Sequence, residues 1–188
     1  MKDERERREV RKSVVPINLC LNAATIEARN FVCQLMTVGS DGIALSADGK
    51  DLYFSVISGQ ELWSVPTAAL RARDAHSELV VQASVSTKGQ KGVGDGMETD
   101  SNGIIYTGHV EQEAIVSYPP GNATVQTFLR DPRISWVDTL SVGWDGSLYF
   151  TVNQVHLMPG FFPGAERRQH PYVLFKTQLP DGGKKVGT

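Results

Sequence analysis

The chain has 188 residues, 40% apolar and 21% charged, enough for one folded unit with a buried core. Its 19 basic and 21 acidic residues leave a net charge of -2, which excludes the basic footprint of a nucleic-acid binder or of a protein held to an anionic membrane surface. No apolar run approaches the roughly 20 residues of a membrane helix, and the charged start from Met1 to Val10 leads into no apolar stretch of the signal-peptide kind.

Residues 1–37 divide in two. The first twelve alternate acids and bases without an apolar stripe and read as a solvated arm. Val14-Val15 and Phe31 to Met36 then flank a helix-tolerant middle, Ala23 to Ala28, as the remnant of a preceding structural unit would. Cys20 and Cys33 are open to one disulfide or to two free buried thiols.

Residues 38–180 state one pattern three times. It reads Asp41-Gly-Ile-Ala-Leu-Ser-Ala-Asp-Gly-Lys-Asp-Leu-Tyr53, then Asp95-Gly-Met-Glu-Thr-Asp-Ser-Asn-Gly-Ile-Ile-Tyr106, then Asp138-Thr-Leu-Ser-Val-Gly-Trp-Asp-Gly-Ser-Leu-Tyr149. Each copy is a period-2 apolar run, an Asp-Gly or Asn-Gly pair that tolerates positive φ, and a second period-2 run, which is the formula of a β-hairpin. The copies start 54 and 43 residues apart, the spacing of propeller blades, each a unit of about four strands that buries its faces only by stacking on neighbours.

The first repeat predicts strands near 42 to 46, 51 to 55 and 61 to 65, a helical turn over Pro66 to Arg71, a fourth strand over Leu79 to Ala83, and a mobile connection from Ser86 to Gly94. The second predicts strands near 96 to 99, 104 to 108, 113 to 118 and 123 to 129. The third predicts strands near 139 to 143, 147 to 152 and 172 to 177, the last after a long connection from Val155 to Pro171 of the length and composition of a functional loop. Residues 181–188, opening on Asp181-Gly-Gly-Lys-Lys, read as a flexible tail. Three blades leave two flanks uncovered, so self-association through those flanks is expected. Asn122-Ala-Thr124 matches the glycosylation pattern at an exposed turn.

Several of these phrases resemble the major royal jelly protein/yellow family. They are Asp41-Gly-Ile-Ala-Leu-Ser46 with Leu52-Tyr-Phe54, Leu62-Trp-Ser-Val-Pro-Thr67, Asp95-Gly-Met97, Trp136-Val-Asp-Thr-Leu140, Gly146-Ser-Leu-Tyr-Phe150, Asn153-Gln154, His156, and Arg167-Arg168 followed by Pro171-Tyr-Val-Leu-Phe175. The resemblance covers roughly residues 38 to 178. It departs from the family pattern at Val137 and Ala47, where Pro is usual, and at Glu98, where a small or apolar residue is usual. It implies an all-β fold, a six-bladed β-propeller of which about half the ring is present. It also implies secretion and either dopachrome conversion, binding of small amines, or a storage role, with gluconolactonases and strictosidine synthases as related propellers.

In a propeller the residue just before each innermost strand stands at one mouth of the central channel, so Asp41, Asp95 and Asp138 are expected to converge. Converging carboxylates suit a divalent cation such as calcium or a cationic amine, either of which offsets the cost of gathering like charges. The plainer alternative is that each Asp accepts backbone N–H groups of its own turn. His109, Asn153 and His156 follow second strands and are candidates for the same face, where His could serve as acid or base, and Phe161-Phe162 is placed to cap the pocket. Glu98 shares its strand position with Ala44 and Ser141, so it should point between blades without an evident partner.

No Gly-x-Ser-x-Gly elbow, phosphate loop or zinc spacing is present, and no catalytic residue is assigned. Three functions stay open: a binder of a small molecule such as an amine or catechol compound, a dopachrome-converting or lactonase-like enzyme, and a truncated or storage-type protein without a competent site.

Overall fold

Each hairpin expected from an Asp-Gly or Asn-Gly pair is present in the computed structural model, which describes residues 17–18, 35–36, 40–71, 77–122, 124–161 and 165–187. Two short strands, β1 (Ile17–Asn18) and β2 (Leu35–Met36), pair antiparallel. A four-stranded sheet follows in the order β3 (Ser40–Leu45), β4 (Asp51–Val56), β5 (Glu61–Pro66), β6 (Ser86–Gln90). The second sheet is β7 (Met97–Thr99), β8 (Ile105–His109), β9 (Ala114–Tyr118), β10 (Gln126–Arg130), and the third is β11 (Val137–Val142), β12 (Ser147–Val152), β13 (Leu174–Gln178). These are three consecutive blades of a β-propeller. The readings made for the arm over residues 1 to 12, for Ala23 to Ala28, for Cys20 and Cys33 and for Phe162 lie outside the described residues.

The turns work as the dipeptides imply. Gly49, Gly103 and Gly146 sit at φ 69, 81 and 74°, in the left-handed region that glycine enters without cost. A carboxylate closes each turn: Asp48 Oδ1 accepts the Lys50 N–H (3.1 Å), Asp100 Oδ1 those of Asn102 and Ile104 (2.9 and 3.0 Å), and Asp145 Oδ1 that of Ser147 (3.1 Å).

Alternation then builds the core. Ala44, Tyr53 and Leu62 of the first blade meet Met97, Ile105 and Tyr118 of the second. The neighbouring residues Tyr106 and Ile115 point the other way, into a larger cluster with Val137, Leu140, Val142, Leu148, Phe150 and Val152 of the third blade. The second sheet is therefore apolar on both faces, as a sheet sandwiched between two others must be. On the first blade's other face Ile43 and Leu45 stay half exposed, at 58% and 50%; they lie on a flank of the kind from which self-association is expected.

Two expectations for the first blade are corrected. Leu79 to Ala83 lies in a helix, Ser77–Ser84, and the fourth strand comes from the stretch read as a mobile connection. The apolar Leu79-Val-Val81 promised a strand, yet Leu79 and Val80 are half exposed, so the helix rides outside the sheet. Ser86 to Gln90 instead supplies backbone pairing to β5, for example Trp63 with Thr87, where propensity matters less than an open edge. The short helix after Pro66 is present as Thr67–Arg71.

The stretch read as a tail is tied down over 183 to 185. Ser101 N–H donates to the Lys184 carbonyl (2.7 Å), Lys184 N–H to Ser101 Oγ (3.1 Å), and Asp100 bridges Lys185, so the end of the third blade is latched to the first turn of the second. The lone Gly-rich sequence could not show that an edge waited for it.

Glu98 is also better satisfied than its sequence context suggested. It pairs with Tyr106 as Ala44 does with Tyr53 and Ser141 with Tyr149, which establishes the equivalence of the three positions. Its Oε1 accepts the Thr99 N–H (3.1 Å), and the Val142 N–H of the third blade and Lys185 also favour its charged form. Burial nevertheless outweighs them and raises its pKa above the ordinary 4.5. Stability from this group is therefore lost as pH rises from about 4.5 through the folded value. Glu98→Ala is expected to cost about 1 to 2 kcal/mol by stranding two backbone donors, whereas Glu98→Gln, which keeps an acceptor without the charge, should be neutral or stabilising above pH 5 in urea unfolding. Equal behaviour of the two variants would refute this account.

Candidate functional site

The repeated Asp sits where the chain bends. In the first and third blades the ladder shifts register between Ser40 and Ile43 and between Val137 and Leu140, so Asp41 and Asp138 each ride a bulge that turns the side chain away from the regular alternation. In the second blade Asp95 and Gly96 lie just before β7. In the first two blades the residue after Asp then sets the spacing to the next blade. A Cβ on Gly42 would lie 2.4 Å from the Asp95 carbonyl oxygen, and one on Gly96 would lie 2.2 Å from that of Asp138, to which Gly96 also donates its N–H (2.9 Å). Glycine at these two positions is thus required for close approach, and it draws each Asp toward the next.

The result is a shared electrostatic site. Asp95 is 6% exposed, and its carboxyl pKa is pushed up from 3.8 to about 7. Burial is the main cause, the charges of Asp41 and Asp138 add to it, and Asp41 also engages it in a side-chain hydrogen bond. One bond opposes the rise: Trp136 Nε1–H donates to Asp95 Oδ2 (2.9 Å) and favours the charged form. A carboxyl that holds or gives up a proton near neutral pH beside two more carboxylates is suited to receive a positive charge.

Trp136 is held for that contact. Its φ of 63° is left-handed, a costly conformation for a bulky residue, on the order of 1 to 3 kcal/mol. The Asn153 N–H donates to its carbonyl (3.1 Å), while Asn153 Oδ1 accepts the Val155 N–H (2.9 Å) and opens the 3-10 turn Val155–Leu157. On that turn His156 stacks over Trp136 (5.8 Å between ring centres, 14°) and exchanges a hydrogen bond with Ser135 Oγ through Nε2 (3.2 Å). Burial lowers the His156 pKa, which keeps the ring neutral at pH 7. The loop that follows is closed at its base: Gln154 donates to and accepts from the backbone of Gln169 (3.0 and 2.9 Å).

Asp41, Asp95, Asp138, Asn153 and His156 are thus linked in one region, the last two through Trp136. His109 is not: it belongs to a separate pocket with Lys91, Gln60 and Gln90. Among the described residues no three His, Cys, Asp or Glu side chains stand close enough to hold a metal ion. The oxygen-only donor set has the right chemistry for calcium, but its present spacing does not form a cage. Sequence reasoning named Trp136 only within the family phrase Trp136 to Leu140 and gave it no role at the site.

The fold is that of part of a β-propeller. It superposes on a gluconolactonase from Xanthomonas campestris with a TM-score of 0.54 at 15% identity, covering 79% of this chain and 46% of that one. A calcium-binding protein, regucalcin, from Agrobacterium tumefaciens gives 0.53 at 20% identity, covering 80% and 49%. A luciferin-regenerating enzyme gives 0.52 at 16% identity, covering 82% and 49%. The chain therefore spans about half the length of these structures. No curated protein is similar enough to count as a relative. The chain belongs to the major royal jelly protein family, whose model matches residues 12–180.

Proposed function

We propose that the protein binds a small cationic molecule, an amine of the biogenic or catechol type, at the mouth formed by Asp41, Asp95 and Asp138. One observation supports this reading: the proton affinity of Asp95, raised mainly by burial, is raised further by the charges of Asp41 and Asp138. An ammonium group offsets that repulsion without needing the fixed ligand cage that calcium needs, so the amine is favoured over the metal. Secretion is proposed on family resemblance, and no helix among the described residues is long and apolar enough to cross a membrane. Calorimetric titration of dopamine and of calcium into the protein at pH 8 tests the reading. Saturable dopamine binding stronger than calcium binding is expected, and no dopamine binding at millimolar concentration would overturn it.

A second reading has a single observation in its favour. A carboxyl that titrates near pH 7 is poised as a general acid or base, as a dopachrome-converting or lactonase-like reaction would require. Turnover of dopachrome or gluconolactone that disappears in Asp95→Asn would favour it over simple binding.

A further inference from the structure

We propose that the pocket containing His109 is a second ligand site, separate from the carboxylate mouth, and that it takes a small monocarboxylate. It is an open cleft of about 370 Å³ between the first two blades. Gln60, Gln90 and Lys91 at the end of the first blade form one side, and His109, Gln112 and Thr127 of the second blade form the other.

Lys91 is the reason to expect an anion. Its side chain is fully buried, yet the bond made by its ammonium goes to the Gly92 carbonyl (3.1 Å), and no carboxylate stands within ion-pair distance among the described residues. A buried ammonium without a counter-ion is costly, and an apolar side chain would fill the space more cheaply. The charge of Asp95 acts on Lys91 only from beyond ion-pair distance, and its pull is weaker than the effect of burial. Burial draws the Lys91 pKa down to about 8, which leaves it mostly charged at neutral pH.

His109 gives the second indication. His109 is 9% exposed, and its ring Nδ1 is buried without a hydrogen-bond partner. The other edge of the ring is pressed by Gly92, where an added Cβ would lie 2.5 Å from Nε2 and Cδ2, so the ring is fixed in place beside the pocket. Burial, with Lys91 nearby, lowers its pKa and keeps it a neutral hydrogen-bonding group. The glutamine amides and the Thr127 hydroxyl add neutral donors, and Val116 and Val125 offer an apolar wall for the body of a ligand. Glu111 at the exposed rim repels a second negative charge, which favours a monocarboxylate over a phosphate dianion.

The test is titration of butyrate, benzoate and inorganic phosphate into the protein and into Lys91→Met, with thermal unfolding measured alongside. Saturable binding of at least one acid is expected, stronger than that of phosphate and weakened at least tenfold by Lys91→Met, while the melting temperature of the variant stays level or rises. Gln112→Leu changes an exposed turn residue and carries the test if Lys91→Met does not fold; it should weaken binding several-fold. Absence of saturable carboxylate binding, tighter binding of phosphate, or undiminished affinity in the variant that folds would each overturn the proposal. Dopamine titration of Gln112→Leu, which leaves Lys91 and Asp95 in place, should be unchanged, so this site and the carboxylate mouth stand or fall separately.

Discussion

Replacing Asp95 with Asn is expected to remove much of the pH dependence of stability between about pH 4 and pH 7, while weakening amine binding. The sign follows from the direction in which the pKa moves. Because the folded value, about 7, lies above the ordinary 3.8, the folded state holds the proton more tightly than the unfolded chain. Stability therefore falls as pH rises through that interval and is flat above it. The loss is on the order of 3 to 4 kcal/mol for the wild-type chain, since each tenfold change in proton affinity is worth about 1.4 kcal/mol. Asn cannot ionise and keeps an oxygen for the Trp136 N–H, so its stability curve should lack this decline and cross above the wild type near neutral pH. Trp136→Phe should do the reverse: losing the one bond that favours the charged carboxylate raises the Asp95 pKa further and extends the decline to higher pH. Dopamine affinity at pH 8 should drop by about 1 to 3 kcal/mol in Asp95→Asn, the scale of a hydrogen bond to a charged group. Urea unfolding at pH 5 and pH 8 decides the first point. Parallel losses in wild type and Asp95→Asn would mean that Asp95 is not the buried proton holder.

Gly96→Ala is expected to be the most damaging single methyl in the junction. The added Cβ would stand 2.2 Å from the Asp138 carbonyl oxygen, and that oxygen belongs to backbone already bonded to Gly96, so it cannot swing aside as a side chain could. The second and third blades must separate, and the cluster that includes Tyr106, Leu140 and Val142 loses its fit. A cost of about 3 kcal/mol or more is expected, at the upper end of overpacking effects. Gly49→Ala is the control. Its position has open space around it but a φ of 69°, so it should cost only the left-handed penalty of about 1 kcal/mol. Dopamine affinity should fall in Gly96→Ala and hold in Gly49→Ala, because only the former displaces Asp138 from Asp95. Urea midpoints showing equal losses in the two variants would contradict the close approach.

The blades were legible because their signals are local. Period-2 apolar runs and Asp-Gly or Asn-Gly pairs act over four or five residues, and each of the three hairpins they predict is present with its glycine at positive φ. The fourth strand of the first blade was misplaced because an apolar Leu-Val-Val segment and a plain Ser-Thr-Lys-Gly-Gln segment competed for one open edge. Edge pairing is settled by backbone geometry that side chains do not encode.

The same division holds at the site. Repetition alone placed Asp41, Asp95 and Asp138 at equivalent positions, since equal places in successive blades face the same axis. The raised proton affinity of Asp95 was decided by tertiary structure: it is enclosed between neighbours on both sides, with an indole N–H reaching it from 41 residues along the chain. His109 and His156 looked alike as residues following second strands, yet one stacks on Trp136 and the other faces Lys91 across a groove between blades. Lys91, which the sequence puts in a glycine-rich connection, is fully buried. Burial depends on which blade packs against a loop, a long-range fact that neither composition nor spacing carries. The glycine that follows Asp41 and Asp95 shows the division at its sharpest: the sequence determined that it repeats, and only the approach of the next blade's carbonyl explains why the space for a side chain is missing there.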